Sequence, residues 1–407
     1  MTISKSKALS FWLVVFLLGF PQISETIYTP SLPDIAQSFA TSMGLVEMTL
    51  SIYFVGFAIG VFLWGILADF IGRRQSILIG LVVYLAGTLL CSFAPSIYYL
   101  LLFRFIQALG ASVGSVVTQT MIRDRYEGKE RHQLFSALGA PLAASPAIGP
   151  FLGGIIDQFF GWNANFLFLF GLGLLLLCYC CAKLPETMQA NTVPTSWKKI
   201  LSVGRRMCLD LKIFGFVCLI GAANGILFSF YAEAPYLFMD LLGFSASQYG
   251  IVGLAVASPI FLASLISHYL NKEWGSEEII LLGIGIIFIG SSCLSFYAWM
   301  GMIALAWAGV GVSALVIPLI WIFFGIGLVI PNSLSLVLTN YQEMRGTAAS
   351  LLGFFYYLLI ACFTAGMGYI HSGTTLPMPL YFVFLSLVLG GGYVAVRYSQ
   401  FCQVKNS

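Results

Sequence analysis

Apolar sequence runs almost unbroken from Ile279 to Leu338, a stretch that no water-exposed fold accommodates. A spanning helix needs roughly 20 apolar residues to cross about 30 Å of hydrocarbon, so this stretch has room for two. Other runs, such as Gly171–Ala182 and Ala314–Pro331, are equally continuous. A transmembrane β-barrel would instead alternate apolar and polar residues in segments of about ten. The charge inventory agrees. Hydrophobic residues make up 59% of the 407-residue chain and charged ones 9%, against about 25% charged in a soluble domain. So few charges cannot clothe a surface in water, which excludes a soluble enzyme, a nucleic-acid binder and a disordered chain. The expected class is an all-α, multi-pass membrane protein.

Twelve apolar segments are expected, at 8–29, 45–68, 76–95, 97–121, 134–156, 164–184, 213–233, 248–270, 279–300, 312–338, 347–370 and 377–396. The first begins like a signal peptide, with Lys5 and Lys7 ahead of an apolar stretch. That stretch is too long, however, and Gln22, Glu25 and Pro30 replace a small-residue cleavage site, so it reads as a retained helix. Loops rich in Lys and Arg face the cytoplasm. With an even helix count and both termini inside, 18 of the 19 basic residues fall on the inner side. The remaining one, Arg104, lies within the fourth segment. The longest polar stretch, Pro185–Lys212, divides the chain into six-helix halves at residues 1–184 and 213–407. That is the layout of transporters built from repeats, whose substrate site lies near the midplane between the halves.

Between the second and third segments the chain reads Gly65-Ile-Leu-Ala-Asp69-Phe-Ile-Gly72-Arg73-Arg74. Glycines suit a tight turn between helices, and arginines suit the anionic inner leaflet. A basic loop that only anchors topology would account for Arg73 and Arg74, but not for a lone Asp between spaced glycines. This motif resembles the signature of the major facilitator superfamily, G-x-L-A-D-x-x-G-R-R. The resemblance implies that Asp69 locks an inner gate through a nearby arginine, with Arg123 at the end of the fourth helix as its candidate partner.

Further motifs extend the resemblance. Arg104-Phe-Ile-Gln107-Ala is similar to an R-x-x-Q-G/A element of proton-coupled facilitators. An arginine in hydrocarbon is a functional candidate in its own right, although Arg104 is near enough to the helix end for snorkelling to the headgroups to stay open. In the fifth segment, Pro146-Ala-Ile-Gly149-Pro150-Phe-Leu-Gly153-Gly154 resembles the antiporter motif of exporting facilitators. Physically its glycines let helices touch and its prolines remove backbone hydrogen bonds; export comes from the resemblance alone. Glu25-Thr-Ile-Tyr28-Thr-Pro30-Ser-Leu-Pro33-Asp34 resembles the D-x-Y-L-P-A-L-P stretch of Bcr/CflA-type drug:proton antiporters, with Glu25 where that subfamily usually has Asp.

Glu25 and Arg104 are expected at comparable depth. Desolvation favours the neutral carboxyl while a nearby arginine favours the carboxylate, so Glu25 is the candidate proton carrier. A solvated, permanently ionised Glu25 is the alternative. Glu233, in the seventh segment, either couples another proton or sits on a solvated rim. Tyr28, Tyr53, Gln107 and Tyr231 are candidate cavity residues. The nine cysteines show no disulfide framework, and His132, His268 and His371 are too scattered to suggest a metal site. No cofactor is expected: there is no G-x-x-x-x-G-K-[ST] loop for ATP, so the proton gradient is the expected energy source.

The expected protein is a bacterial inner-membrane exporter, monomeric, exchanging protons for small and largely apolar compounds such as antibiotics. An endogenous metabolite or siderophore as cargo, and nutrient import by proton symport, remain open. A membrane-embedded enzyme or sensor is disfavoured, since no paired carboxylates, histidine cluster or nucleophile constellation is visible at membrane depth. No nucleic-acid partner is expected.

Overall fold

The computed structural model describes residues 9–188, 197–301, 310–338, 341 and 345–405. Lys5, Lys7 and Pro194 lie outside the described residues. The chain is all helical there, as its composition requires: in hydrocarbon every backbone N–H and C=O must be satisfied within its own segment. The order is α1 (Phe11–Thr26), α2 (Leu32–Ser38), α3 (Met43–Ile71), α4 (Arg73–Ser92), α5 (Ile97–Arg125), α6 (Gly128–Phe160) and α7 (Trp162–Lys183). After these come α8 (Trp197–Leu209), α9 (Leu211–Pro235), α10 (Ala246–Leu270), α11 (Ser276–Trp299), α12 (Val310–Leu336), α13 (Arg345–Ile370) and α14 (Pro377–Lys405).

Among the described residues, eleven helical spans are long and apolar enough to cross a membrane. This differs from the expected twelve at α6. That helix has 33 residues, but its first half carries Glu130, Arg131 and other polar groups, and only Ile148–Phe160 forms a continuous apolar helix. Two short helices were not expected. Pro30 and Pro33 lack the N–H that would continue α1; the chain instead makes a 3₁₀ turn at Thr29–Ser31 and restarts as α2, where Asp34 is exposed. Within the polar linker, α8 buries Ile200, Val203 and Met207 while Leu201 and Leu209 stay exposed, and it docks on α9 and α13.

Among the described residues, three connections are a single residue long: Asp210 between α8 and α9, and two glycines. Gly72 (φ +95°) joins α3 to α4, and Gly161 (φ +77°) joins α6 to α7; glycine alone enters this region without strain. Only Gly72 of the signature's two glycines makes the turn. Gly65 lies inside α3 and brings the helix against Ser350 of α13.

The helices before the linker pack on one another chiefly through α3–α5, α4–α5, α4–α7 and α1–α6. Those after it pack through α11–α12, α9–α14, α9–α13 and α10–α12. Two pairs make the main contact between these sets: α3 with α13, and α6 with α10. Leu175, Phe214, Phe160 and Leu387 are among many large apolar side chains pointing outward, as lipid-facing surfaces require. Arginines gather at one end of the molecule, called here the basic face: Arg73 binds Asp124 at the end of α5, and Arg74 binds carbonyls at the end of α7.

Candidate functional site

Helix α5 carries Arg104 into the centre of the first helix set, where it is fully buried. Gly56 and Gly60 let α3 close on α5, and Gly80 and Gly87 do the same for α4. Arg104 Nη1 donates to Gln107 Oε1 at 2.5 Å, one turn along the same face. Gln107 Nε2 in turn donates to Thr88 Oγ1 at 2.9 Å. The guanidinium lies between two aromatic rings, 4.0 Å from the centroid of Tyr28 and 4.2 Å from that of Tyr53. Cation–π contacts of this kind contribute about 2 kcal/mol when desolvated. The environment rules out snorkelling, because no part of Arg104 reaches the molecular surface.

The stacking leaves Arg104 incompletely paired. Its Nε and Nη2 find no hydrogen-bond acceptor among the described residues. Its Nη1 also approaches the carbonyl of Ser24 at 3.5 Å, one residue before Glu25. Glu25 is 5% exposed and makes no hydrogen bond or ion pair within the described residues. It lies within electrostatic range of Arg104 and of Tyr356 and Tyr357. Both tyrosines line a cavity of about 60 Å³, together with Gln119, Arg123 and Ser350. The candidate cavity residues Tyr28, Gln107, Tyr53 and Tyr231 are absent from that lining and sit in the packed interior. Tyr28 is held there by a 2.8 Å hydrogen bond between its hydroxyl and that of Thr49.

The antiporter-motif residues place α6 between α1 and α10. Pro150 has no N–H to give to the carbonyl of Pro146 four residues back, and Thr26 Oγ1 of α1 donates to that carbonyl at 3.1 Å. Gly149 and Gly153 abut Thr26 and Ile27, while Gly154 abuts Ala246 of α10. The motif therefore joins helices from both sets at the face opposite the basic one.

At the basic face the pairing differs from the expected one. Asp69 binds Arg73 of its own turn at 2.7 Å rather than Arg123, and Arg73 Nε binds Asp124 at 3.0 Å. Arg123 is one turn from Gln119, with Nη2 3.4 Å from its Oε1. The turn geometry explains the preference. Arg73 starts α4 immediately after Gly72, so its side chain folds back over the end of α3 and also caps the Ala68 carbonyl at 2.5 Å. Glu186, from the linker, accepts the backbone N–H groups of Arg73 (3.0 Å) and Arg74 (3.1 Å). This carboxylate sits on the positive end of the α4 dipole. Sequence reasoning missed Glu186, although an acid just past a helix end is the kind of group that caps a neighbour.

A second cluster was also missed. Glu47 near the start of α3, Glu233 near the end of α9 and His371 just beyond α13 meet at the face opposite the basic one. His371 Nδ1 is 2.9 Å from Glu233 Oε2 and 3.4 Å from Glu47 Oε1. Glu233 is thus buried against a partner rather than set on a solvated rim. The histidine and its two carboxylates are separated by more than a hundred residues, so no spacing signal connects them; a charged residue inside an apolar helix was the available sign for Glu47.

A helical membrane chain of two helix sets, with a buried cation and a buried carboxylate inside the first, has the architecture of a secondary transporter, not of an enzyme. Residues 11–364 match the Major Facilitator Superfamily, and the chain belongs to that family, in its Bcr/CflA-type drug-transporter branch. It is 34% identical to an uncharacterized transporter of Rickettsia bellii over 96% of this chain and 97% of that protein. It is 31% identical to a chloramphenicol resistance protein of Pseudomonas aeruginosa, covering 71% of this chain and 70% of that one. The fold resembles that of the Escherichia coli xylose transporter XylE in a partially occluded inward-open conformation (TM-score 0.69, 14% identity, 93% and 96% of the two chains).

Proposed function

We propose that this chain is a proton-coupled exporter of small, largely apolar compounds, with α6 as its twelfth span and residues 1–184 and 213–407 rocking as two bundles about the linker 185–212. The basic face and both termini then lie in the cytoplasm of a bacterial inner membrane, and a single chain is the working unit. The observation that carries the reading is Arg104: a buried guanidinium, held over two aromatic rings, with two of its three nitrogens unpaired among the described residues. Such a group demands an acceptor, and the ionised carboxylate of Glu25 is the charge within range.

In this mechanism, deprotonated Glu25 pairs with Arg104 and protonated Glu25 releases it. Each release changes what the cavity beside Tyr356 and Tyr357 presents to a substrate. Protons entering from outside and leaving inside then drive the cargo the other way. The chloramphenicol resistance relative supports a drug-like cargo. Inverted vesicles holding the protein test the reading: an imposed pH gradient should drive uptake of fluorescent apolar drugs, and Glu25→Gln should remove the response to the gradient. Drug movement that ignores the gradient, or a Glu25→Gln protein that still follows it, would overturn the coupling.

A further inference from the structure

The proton exchange proposed above between Glu25 and Arg104 does not use the cluster of Glu47, Glu233 and His371. We propose that these three residues form a binding site for a late first-row divalent metal of the Zn²⁺ class, which pins α3, α9 and α13 together at the face opposite the basic one.

Donor type, spacing and charge all support this. An imidazole nitrogen and two carboxylates are ordinary ligands for such metals, at about 2.0–2.2 Å from the ion. A tetrahedral ion with bonds of that length holds its ligand atoms about 3.3 Å apart. His371 Nδ1 stands 2.9 Å and 3.4 Å from the two carboxylates, and all three ligand atoms lie within 4.8 Å of one another.

Glu47 supplies an independent sign of a missing partner. It is 0% exposed, and apart from the 3.4 Å approach of His371 to Oε1 and the neighbouring Glu233 carboxyl, its oxygens make no hydrogen bond among the described residues. Two ionised carboxylates beside one protonated imidazole leave a net negative charge; a divalent ion beside a neutral imidazole cancels it, and a proton held between Glu47 and Glu233 is the competing way to remove it. Three protein ligands leave a fourth position for water, the pattern of an accessible rather than a sealed site. His371 is 13% exposed, so the ion has a route in from the aqueous side. The ligands come from both helix sets, α3 from the first and α9 with the end of α13 from the second, so the bound ion resists their separation at this face.

The test uses the purified full chain in lipid nanodiscs, cleared of metal with a chelator. Zn²⁺ should bind one per chain and raise the melting temperature. His371→Ala and Glu47→Gln should each weaken binding at least about tenfold, while His268→Ala, an exposed histidine elsewhere, should leave it unchanged. Co²⁺ gives a readout on the unaltered chain, an intense visible absorption from a low-coordinate nitrogen and oxygen site. No stoichiometric binding, or binding that both cluster variants retain, would overturn the proposal. Binding is read without transport, so its outcome is separate from that of the efflux assay.

Discussion

The hydroxyl of Thr26 stands 3.1 Å from the carbonyl of Pro146, which Pro150, lacking an N–H, leaves free within α6. The same hydroxyl is also 3.1 Å from the Gln22 carbonyl of its own helix, so its one proton is shared between the two. A proline defect in one helix is thus partly satisfied by a side chain of another, where Gly149 and Gly153 let α6 close on α1. Thr26→Val keeps the shape and removes the donor. It should cost about 1 kcal/mol and lower the melting temperature in detergent, whereas Thr26→Ser should restore most of it. Gly153→Leu should be far worse, because Gly153 has the backbone of Ile27 against it.

Arg104 should tolerate no substitution, lysine included. Lys keeps the charge but has no planar face to lie between Tyr28 and Tyr53 and no fork to reach Gln107. Arg104→Lys should reduce gradient-driven transport at least about tenfold, equivalent to the loss of roughly 1.4 kcal/mol of interaction. Gln107→Leu removes the 2.5 Å acceptor and strands a further buried N–H. It should lower thermal stability by about 1–3 kcal/mol, read by unfolding in detergent.

The turn at the basic face makes a coupled prediction. Arg73 is only 4% exposed and shared between Asp69 and Asp124. Asp69→Asn and Asp124→Asn should each destabilise, and the double variant should cost less than their sum, since both act through one guanidinium. Glu186→Gln should add a loss of about 1 kcal/mol by weakening the cap on α4. A double-mutant cycle of melting temperatures checks all three.

His371 sets a pH dependence whose sign is fixed. Its hydrogen bond to Glu233 holds the imidazole pKa above the ordinary value of 6.5. The groups facing it are Glu47 of α3, Glu233 at the end of α9, and Asp240 and Tyr236 in the π-helical segment Tyr236–Leu241 that follows. A group whose folded pKa is raised contributes stability that is full below 6.5 and lost as pH rises through the folded value. With chelator present, the melting-temperature gap between the native chain and His371→Gln should therefore be largest in acid and should shrink above neutrality. A gap that widens with pH would contradict the assignment.

Much of this protein is legible in its sequence. Long apolar runs leave the backbone no choice but helix, and the charge inventory leaves few candidates inside the membrane. Arg104 and Glu25 stand out because an ionisable group in hydrocarbon is costly enough to need a reason. Gly72 is readable as a turn because a glycine between two apolar segments permits one, although the same reading puts Gly65 in that turn and the structure places it inside α3. The amphipathic linker helix α8 was hidden by its polarity, and although the first segment ends before Pro30, the short helix α2 that follows was not foreseen.

The sequence by itself determined the helices, the solvent around them and which charges had to be exceptional, because each of these follows from local hydrophobicity and backbone chemistry. Only the tertiary structure decided the partners. It gave Asp69 to Arg73, placed Glu186 on the start of α4, filled the surroundings of Arg104 with Tyr28 and Tyr53, and drew Glu47, Glu233 and His371 together from three helices. Pairing is a matter of a few ångströms between residues far apart in the chain, and nothing in local periodicity records such distances.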